Sequence, residues 1–141
     1  MGTQYFTYII ARAHAQFHFR FVKMAHCANC NVIVHMGIAR QEFHYTVYPE
    51  GAFYKRHLDT FMNDSSRKLS IVCYLNDEDW KPEYGGELTL YFNQDGTETS
   101  KDIYPLRGRL IVFESQVLEH EVKPVKRERL SITGWLKTRG S

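Results

Sequence analysis

The sequence has 141 residues, of which 43% are hydrophobic and 14% aromatic, and its formal net charge is +2. This length and composition predict one folded domain with a modest core rather than a disordered chain. The near balance of charge argues against a nucleic-acid partner, and the densest basic stretch, KPVKRER, is typical of a solvated loop. No apolar stretch approaches the roughly 20 residues that a membrane span needs.

Residues 1–37 are apolar and rich in histidine, without a clear helical or strand period. We interpret them as an N-terminal support segment, either helical or truncated, that precedes the main domain at residues 38–141. The stretch MGTQYFTYIIARAHAQ has no basic start, and Arg12 and His14 interrupt its apolar block. We therefore predict no secretory signal, and the odd number of cysteines indicates a reducing cytoplasm rather than a disulfide framework.

The motif HCANC places Cys27 and Cys30 beside His26, with His35 nearby. These four residues could be counted as the ligands of a zinc site. A second CxxC is missing, and no βαβ pattern surrounds the first one, so two ordinary reduced cysteines are the favoured interpretation.

From residue 42 onward the pattern is that of short strands. EFHYTVY alternates, with Phe43, Tyr45 and Val47 on one face and His44, Thr46 and Tyr48 on the other. Further runs rich in Val, Ile, Tyr and Thr are KLSIVCYLN, GELTLYF, RGRLIVFES and RLSITGWLK. The turn-rich stretches NDEDWKPEYGG, NQDGTET, YPLRG and KPVKRE separate them. Many short strands without helices between them predict a mainly β antiparallel sandwich or barrel.

The stretch FYKRHLDTF contains a histidine and a carboxylate two positions apart, His57 and Asp59. On a strand, residues at this spacing point to the same side, so both side chains could reach one metal ion. The motif alone has little specificity, but LEHEVKP supplies His120, 61 positions after Asp59. Two histidines and one carboxylate with open positions form the facial triad of non-haem Fe(II) oxygenases.

Arg129 distinguishes between kinds of metal site. It alternates onto one strand face with Ser131, Thr133 and Trp135. A buried guanidinium needs an anionic partner, and its fork suits the distal carboxylate of a dicarboxylate ligand. The alternative is a surface arginine that pairs with Glu128 or Glu121.

Several motifs together carry a family resemblance. In order they are YPEGAFYKRHLD, CYLNDEDW, YGGELTLYF, RGRLIVFES, LEHEVKP and RERLSITGW. Across about residues 38–138 they resemble the 2-oxoglutarate and Fe(II)-dependent oxygenases. The closest branch is the prolyl-hydroxylase type, which includes the hypoxia-sensing prolyl hydroxylases and their bacterial relatives. The resemblance implies a double-stranded β-helix, or jelly-roll, core.

The resemblance also implies roles for single residues. His57, Asp59 and His120 would hold Fe(II), and Arg129 would bind 2-oxoglutarate. The residues around the cosubstrate would be Tyr74, Thr133, Tyr48, Val72 and Leu88, and those at the substrate mouth would be Tyr54, Arg67 and Trp135. The implied reaction converts 2-oxoglutarate and O2 to succinate and CO2 while hydroxylating a prolyl residue of a protein or peptide. Ascorbate binding is implied as well.

Two other functions remain open at this point. The chain could be a catalytically weak or inactive jelly-roll binding module of the same family. It could also be a cupin-like metalloenzyme that uses the same triad without 2-oxoglutarate, although Arg129 argues against that. The sequence leaves the oligomeric state open and gives no sign of a nucleic-acid or membrane partner.

Overall fold

The computed structural model describes residues 7–11, 37–60 and 65–139. Within them, nine β-strands and one 3-10 helix are formed. The strands are β1 (Thr7–Ala11), β2 (Ile38–Tyr48), β3 (Tyr54–His57), β4 (Arg67–Tyr74), β5 (Leu88–Gln94), β6 (Thr97–Ile103), β7 (Arg109–Glu114), β8 (His120–Val122) and β9 (Arg129–Thr138), and the 3-10 helix is Pro82–Tyr84. No helix in this described part of the chain is long and apolar enough to cross a membrane.

The strands form two sheets, one of five strands in the order β1-β7-β4-β9-β2 and one of four in the order β3-β8-β5-β6. From β2 onward the chain crosses from one sheet to the other at almost every connection, and only the β5–β6 hairpin stays within a sheet. Among the described strands, all pairings are antiparallel except that of β1 with β7. This arrangement is the predicted jelly-roll.

The core lies between the two sheets. The five-stranded sheet contributes the inward faces of β4 and β7, and the four-stranded sheet contributes β5, β8 and the end of β6. Each fully buried apolar side chain stabilises the fold by about 1.5–3 kcal/mol. The buried core residues are Val72, Tyr74, Leu88, Leu90, Phe92, Ile103, Ile111, Phe113, Leu118 and Val122.

The strands predicted from alternation are confirmed, including the two faces of β2. Phe43, Tyr45 and Val47 are the exposed members of that strand's large apolar residues. The strand β6 was missed, because the stretch NQDGTET was interpreted as a turn. The turn itself is only Asp95 and Gly96, whose φ angles of 51° and 80° suit a two-residue hairpin. Polar residues fill β6 because all but its last residue are exposed, so the strand has no hydrophobic period to read.

The N-terminal support segment is described only in part. Thr7–Ala11 is a strand that extends the five-stranded sheet, so the helical alternative does not hold for these five residues. His26, Cys27, Cys30 and His35 lie outside the described residues, and the zinc alternative stays untested there. The boundary between residues 37 and 38 stays a prediction.

Candidate active site

Pairing of two short strands brings the predicted histidines together. His57 ends β3, His120 begins β8, and the two residues are direct partners in the antiparallel register. Their ring centroids are 4.3 Å apart. Asp59 Oδ1 lies 3.3 Å from His57 Nε2 and 3.5 Å from His120 Nε2. One ligand atom from each residue lies within 4.8 Å of the others, which fits a metal ion held by two nitrogens and one oxygen.

The convergence has a different cause from the one that the sequence suggested. Asp59 does not share a strand with His57, because β3 ends at His57 and Asp59 lies in the bend that follows. The carboxylate therefore reaches the histidines through the path of the chain and not through strand alternation. This part of the prediction was wrong, although the three residues do meet.

Hydrogen bonds to the main chain orient both imidazoles. His57 Nδ1 lies 2.7 Å from the Lys55 carbonyl oxygen, and His120 Nδ1 lies 3.2 Å from that of Leu118. Each Nδ1–H donates to its carbonyl, so Nε2 is the nitrogen that faces Asp59. This arrangement selects the tautomer whose Nε2 lone pair is available to a metal.

Burial and hydrogen bonding have opposite effects on the pKa values of the cluster residues. Burial alone raises the pKa of Asp59, but hydrogen bonds with His120, His57 and Ser70 outweigh it and hold that pKa well below its usual range. For His57, burial lowers the pKa, while the hydrogen bonds with Asp59 and the Lys55 carbonyl raise it above the ordinary 6.5. Without a metal, Asp59 is thus an anion stabilised by the imidazoles. A divalent cation can take the place of the proton between them.

The second half of the site is built around Arg129, which is 1% exposed at the start of β9. Its guanidinium carbon lies 5.0 Å from the centre of the Tyr48 ring and 4.9 Å from that of Tyr74. Its Nη2 is 3.4 Å from Tyr74 Oη, and its Nε has no partner in the described part of the chain. The ion pairs found among the described residues do not include Arg129.

The surface alternative for Arg129 is therefore wrong. The side chain is buried, and Glu121 binds Lys123 and Tyr91 instead. A buried guanidinium without a carboxylate is costly, so this end of the site calls for an anionic ligand. Gly86 makes room for the arginine: with a φ of 70°, a Cβ there would lie 3.0 Å from Arg129 Cδ and 2.7 Å from a Val125 methyl.

Three of the predicted cosubstrate residues share one face of the five-stranded sheet, and Leu88 lies in the four-stranded sheet. The sheet register places Val72 opposite Thr133 and Tyr74 opposite Ser131, so these side chains share a face. Val72, Tyr74 and Leu88 are buried. Along β4, Val72 lies between Tyr74 at the arginine end and Ser70 at the metal end.

Tyr48 lies within electrostatic range of both ends. Burial raises its pKa, the Arg129 guanidinium acts against this, and the charge of Asp59 adds to the rise. Burial also raises the pKa of Tyr74, and the arginine offsets this only in part. Both phenols therefore keep their protons and can donate hydrogen bonds.

Of the residues predicted for the substrate mouth, Tyr54 and Arg67 contact residues of the metal cluster, and Trp135 contacts Arg67. Tyr54 is 51% exposed, and its ring centroid lies 4.2 Å from that of His57. The Arg67 guanidinium stacks 3.7 Å above the Trp135 ring, and its Nη1 donates to the Asp59 carbonyl oxygen at 3.1 Å. Glu42 completes this rim by pairing with Lys137 at 2.5 Å.

Two residues near the metal cluster were missed. Ser70 Oγ is 2.5 Å from Asp59 Oδ2 and 2.8 Å from Ser115 Oγ. A serine within a strand carries no local signal of such a contact. The pairing of β4 with β7, which brings residues 45 positions apart together, creates it.

Comparison with known proteins agrees with this geometry. Residues 43–137 match the model of the 2OG-Fe(II) oxygenase superfamily. The chain is 38% identical over 92 residues to a hypoxia-inducible factor prolyl hydroxylase of Caenorhabditis elegans, covering 63% of this chain and 12% of that protein. It is 33% identical over 90 residues to a PKHD-type hydroxylase of Synechococcus sp. (strain CC9605), covering 62% and 38%.

Solved structures give the same result. A prolyl-4-hydroxylase from Pseudomonas putida matches with a TM-score of 0.70 and 47% identity, over 79% of this chain and 59% of that one. A prolyl hydroxylase from Trichoplax adhaerens, solved in complex with a hypoxia-inducible factor oxygen degradation domain peptide, matches with a TM-score of 0.64 and 34% identity, over 71% and 45%. The chain belongs to the 2OG-Fe(II) oxygenase superfamily, and it spans less than two thirds of the length of each of these relatives.

Proposed function

We propose that the chain is the catalytic core of an Fe(II)- and 2-oxoglutarate-dependent dioxygenase that hydroxylates a prolyl residue of a protein or peptide. The observation that carries this proposal is a buried arginine with no carboxylate partner among the described residues, in a fold that also brings two histidines and one aspartate together. A site with the cluster alone would suit many metal enzymes. The buried guanidinium, which has no carboxylate partner in the described part of the chain, adds the requirement for an acidic cosubstrate.

In this proposal His57 and His120 bind Fe(II) through Nε2, and Asp59 binds it through a carboxylate oxygen. Three protein ligands would leave coordination positions for the cosubstrate and dioxygen. Bound iron supplies the activation of dioxygen that oxidises a substrate C–H bond. One oxygen atom of O2 enters the prolyl residue, and the other enters succinate as 2-oxoglutarate loses CO2.

Arg129 would hold the distal carboxylate of 2-oxoglutarate with help from Tyr74 and Thr133. The Tyr74 hydroxyl can donate to this carboxylate because its pKa is raised by burial. Val72 and Leu88 would form an apolar wall that excludes water, and Tyr48 would bridge the two ends. Fixing both ends of the cosubstrate converts a bimolecular encounter into an oriented one.

The choice of proline follows from the relatives, whose names describe prolyl hydroxylases. Tyr54, Arg67 and Trp135 would receive the target residue, because they border the accessible side of the metal cluster. We further propose ascorbate as a reductant for the iron and a cytoplasmic location. The oligomeric state is open.

A spectroscopic titration tests the cosubstrate assignment. Anaerobic addition of Fe(II) and 2-oxoglutarate should produce the weak visible band of a chelated complex, and Arg129→Met should abolish it at the same concentrations. The surface variant Arg127→Met should leave it intact, because Arg127 pairs with Asp77 outside the pocket. Absence of the band in the folded wild-type protein would refute the dioxygenase proposal.

Turnover separates an enzyme from an inactive binding module of the same family. In air, the wild-type protein should form succinate, and a proline-containing peptide should gain one oxygen atom by mass spectrometry. A visible band without succinate would favour the binding module. Succinate without peptide oxidation would preserve the oxygenase and remove proline as the target.

A further inference from the structure

The two carboxylate oxygens of Asp59 have different environments. Oδ1 faces the metal position, at 3.3 Å from His57 Nε2 and 3.5 Å from His120 Nε2. Oδ2 accepts a hydrogen bond from Ser70 Oγ at 2.5 Å. One oxygen is thus directed to a metal while the other is held by the protein.

Ser70 is itself held by a second serine. Ser70 is 1% exposed and Ser115 is 0% exposed, and their hydroxyl oxygens lie 2.8 Å apart. Ser70 gives its only hydroxyl hydrogen to the carboxylate, so Ser115 must be the donor in the contact between them. The result is a directional chain from Ser115 through Ser70 to Asp59, in which each hydrogen bond polarises the next.

The rest of Asp59 is restrained less directly. It lies beyond the end of β3, outside the hydrogen-bond ladder, and its main-chain carbonyl accepts from Arg67 Nη1. This contact positions the backbone and does not itself restrain the carboxylate. Within the described residues, the Ser70 hydroxyl is the contact that the structure gives to Oδ2.

We propose that the Ser115–Ser70 pair keeps Asp59 a one-oxygen ligand and thereby strengthens metal binding and preserves an open coordination position. A carboxylate whose second oxygen is not occupied can turn and bind a metal through both oxygens, which takes up a position that the reaction needs. The inference rests on the proposed function, because it assumes that the cluster binds a metal. Ser70 and Ser115 are positioning residues, since neither touches the metal position.

The test is a calorimetric titration of the metal-free full chain with Mn²⁺, carried out without 2-oxoglutarate. Ser70→Ala should raise the dissociation constant for Mn²⁺ about tenfold, and Ser115→Ala about threefold, as expected for residues that orient a ligand. The double variant should match Ser70→Ala within about a factor of two, because Ser115 acts only through Ser70. Ser115→Ala also keeps the test valid if Ser70→Ala does not fold.

A matched control is Thr89→Val. Thr89 is buried, and its hydroxyl donates to Asp102 Oδ1 at 2.6 Å in the other sheet. The Thr89→Val variant should bind Mn²⁺ as tightly as the wild type. This result would separate a specific effect of Ser70 on metal binding from the general cost of losing a buried hydroxyl. The visible spectrum of bound Co²⁺ adds a readout of coordination: it should change shape in Ser70→Ala and stay unchanged in Thr89→Val.

The outcomes distinguish this inference from the proposed function. If the wild type binds no Mn²⁺, both fail. If the wild type binds Mn²⁺ and Ser70→Ala binds it equally well with an unchanged Co²⁺ spectrum, only the positioning role fails. Independent, multiplicative effects of the two serine substitutions would overturn the relay.

Discussion

The metal end and the arginine end of the candidate site differ in how their charged side chains are paired. At the metal end, described residues satisfy one another: His57, His120 and Ser70 all contact the Asp59 carboxylate. At the other end, Arg129 has two aromatic rings, one long hydrogen bond and no carboxylate within the described chain. The Asp59 carboxylate thus has partners before a ligand binds, whereas the Arg129 guanidinium has no carboxylate partner among the described residues.

This difference shows how each end should respond to its ligand. A cation entering the metal end competes with protons that already stabilise the cluster, so its affinity depends on pH. An anion entering the arginine end neutralises a buried charge that has no carboxylate partner among the described residues, so its affinity depends mainly on that charge. The two ends should therefore be separable by mutation.

The largest expected effect comes from removing the shared acceptor at the metal end. Asp59→Ala should weaken Mn²⁺ binding by more than about a hundredfold, since loss of a ligand exceeds loss of a residue that only orients one. Succinate formation should fall below detection. Asp102→Asn, an exposed carboxylate that accepts from Thr89, is the matched control and should retain both. Near-normal affinity in Asp59→Ala would place the metal elsewhere.

The next effect belongs to the arginine end. Arg129→Met should weaken 2-oxoglutarate binding about a hundredfold, as expected for removing one partner of a buried charge pair. Mn²⁺ affinity without 2-oxoglutarate should stay within about a factor of two of wild type, because Arg129 is not part of the metal cluster and independent sites do not couple. Calorimetric titrations of both ligands measure the two quantities. A parallel loss of Mn²⁺ binding would show that the two ends of the site are not independent.

The pH dependence of metal binding tests proton competition at the metal end. Metal binding needs an unprotonated His57 Nε2, and the pKa of His57 is raised above 6.5 in the metal-free protein. Affinity for Mn²⁺ should therefore begin to fall at a higher pH than for an ordinary histidine, by about tenfold per pH unit below that pKa. Asp59, whose pKa is lowered, adds no proton in this range.

Titrations at several pH values between about 8 and about 6 measure this effect. His44→Gln is the control, because His44 packs against Trp135 and is not part of the metal cluster. It should leave the profile unchanged. A flat wild-type profile would contradict the proton competition inferred from the His57–Asp59 contact.

The smallest expected effect is that of Tyr74→Phe. The Tyr74 hydroxyl lies 3.4 Å from Arg129 Nη2, which is a long hydrogen bond. Its loss should weaken 2-oxoglutarate binding by about 1 kcal/mol, or roughly fivefold, while leaving Mn²⁺ affinity unchanged. Calorimetry against Tyr84→Phe, a tyrosine at the end of the 3-10 helix, provides the comparison. A loss of 2-oxoglutarate affinity as large as that of Arg129→Met would mean that the phenol is as important as the guanidinium for binding the cosubstrate.

Much of this architecture could be predicted from the sequence, because alternation reports burial. The inner faces of β4 and β9 follow from the pattern of their own residues, and so does the position of Arg129 beside Thr133 on one face. His57, Asp59 and His120 could be selected because their residue types are restrictive for metal binding. The exposed β6 could not be predicted in this way, because no buried face imposed a period on it.

Contacts between distant strands account for the remaining omissions. Ser70 and Ser115 acquire their relation only when β4 pairs with β7, and an isolated serine in β4 or in the turn after β7 is unremarkable as sequence. The bend that holds Asp59 could not be predicted from the sequence either, since it depends on where the pairing of β3 with β8 ends. Such features depend on tertiary pairing, and local propensity carries little information about them.

The absence of a side chain at Gly86 has a consequence for cosubstrate selectivity. Since a Cβ at this position would meet Arg129 Cδ at 3.0 Å, the loop before β5 sets how far the arginine stem can withdraw from the pocket. The position of this loop therefore helps to fix where the guanidinium lies relative to the metal cluster. A methyl group there would crowd Arg129 Cδ and displace the arginine stem, and we expect Gly86→Ala to alter which diacids the site accepts.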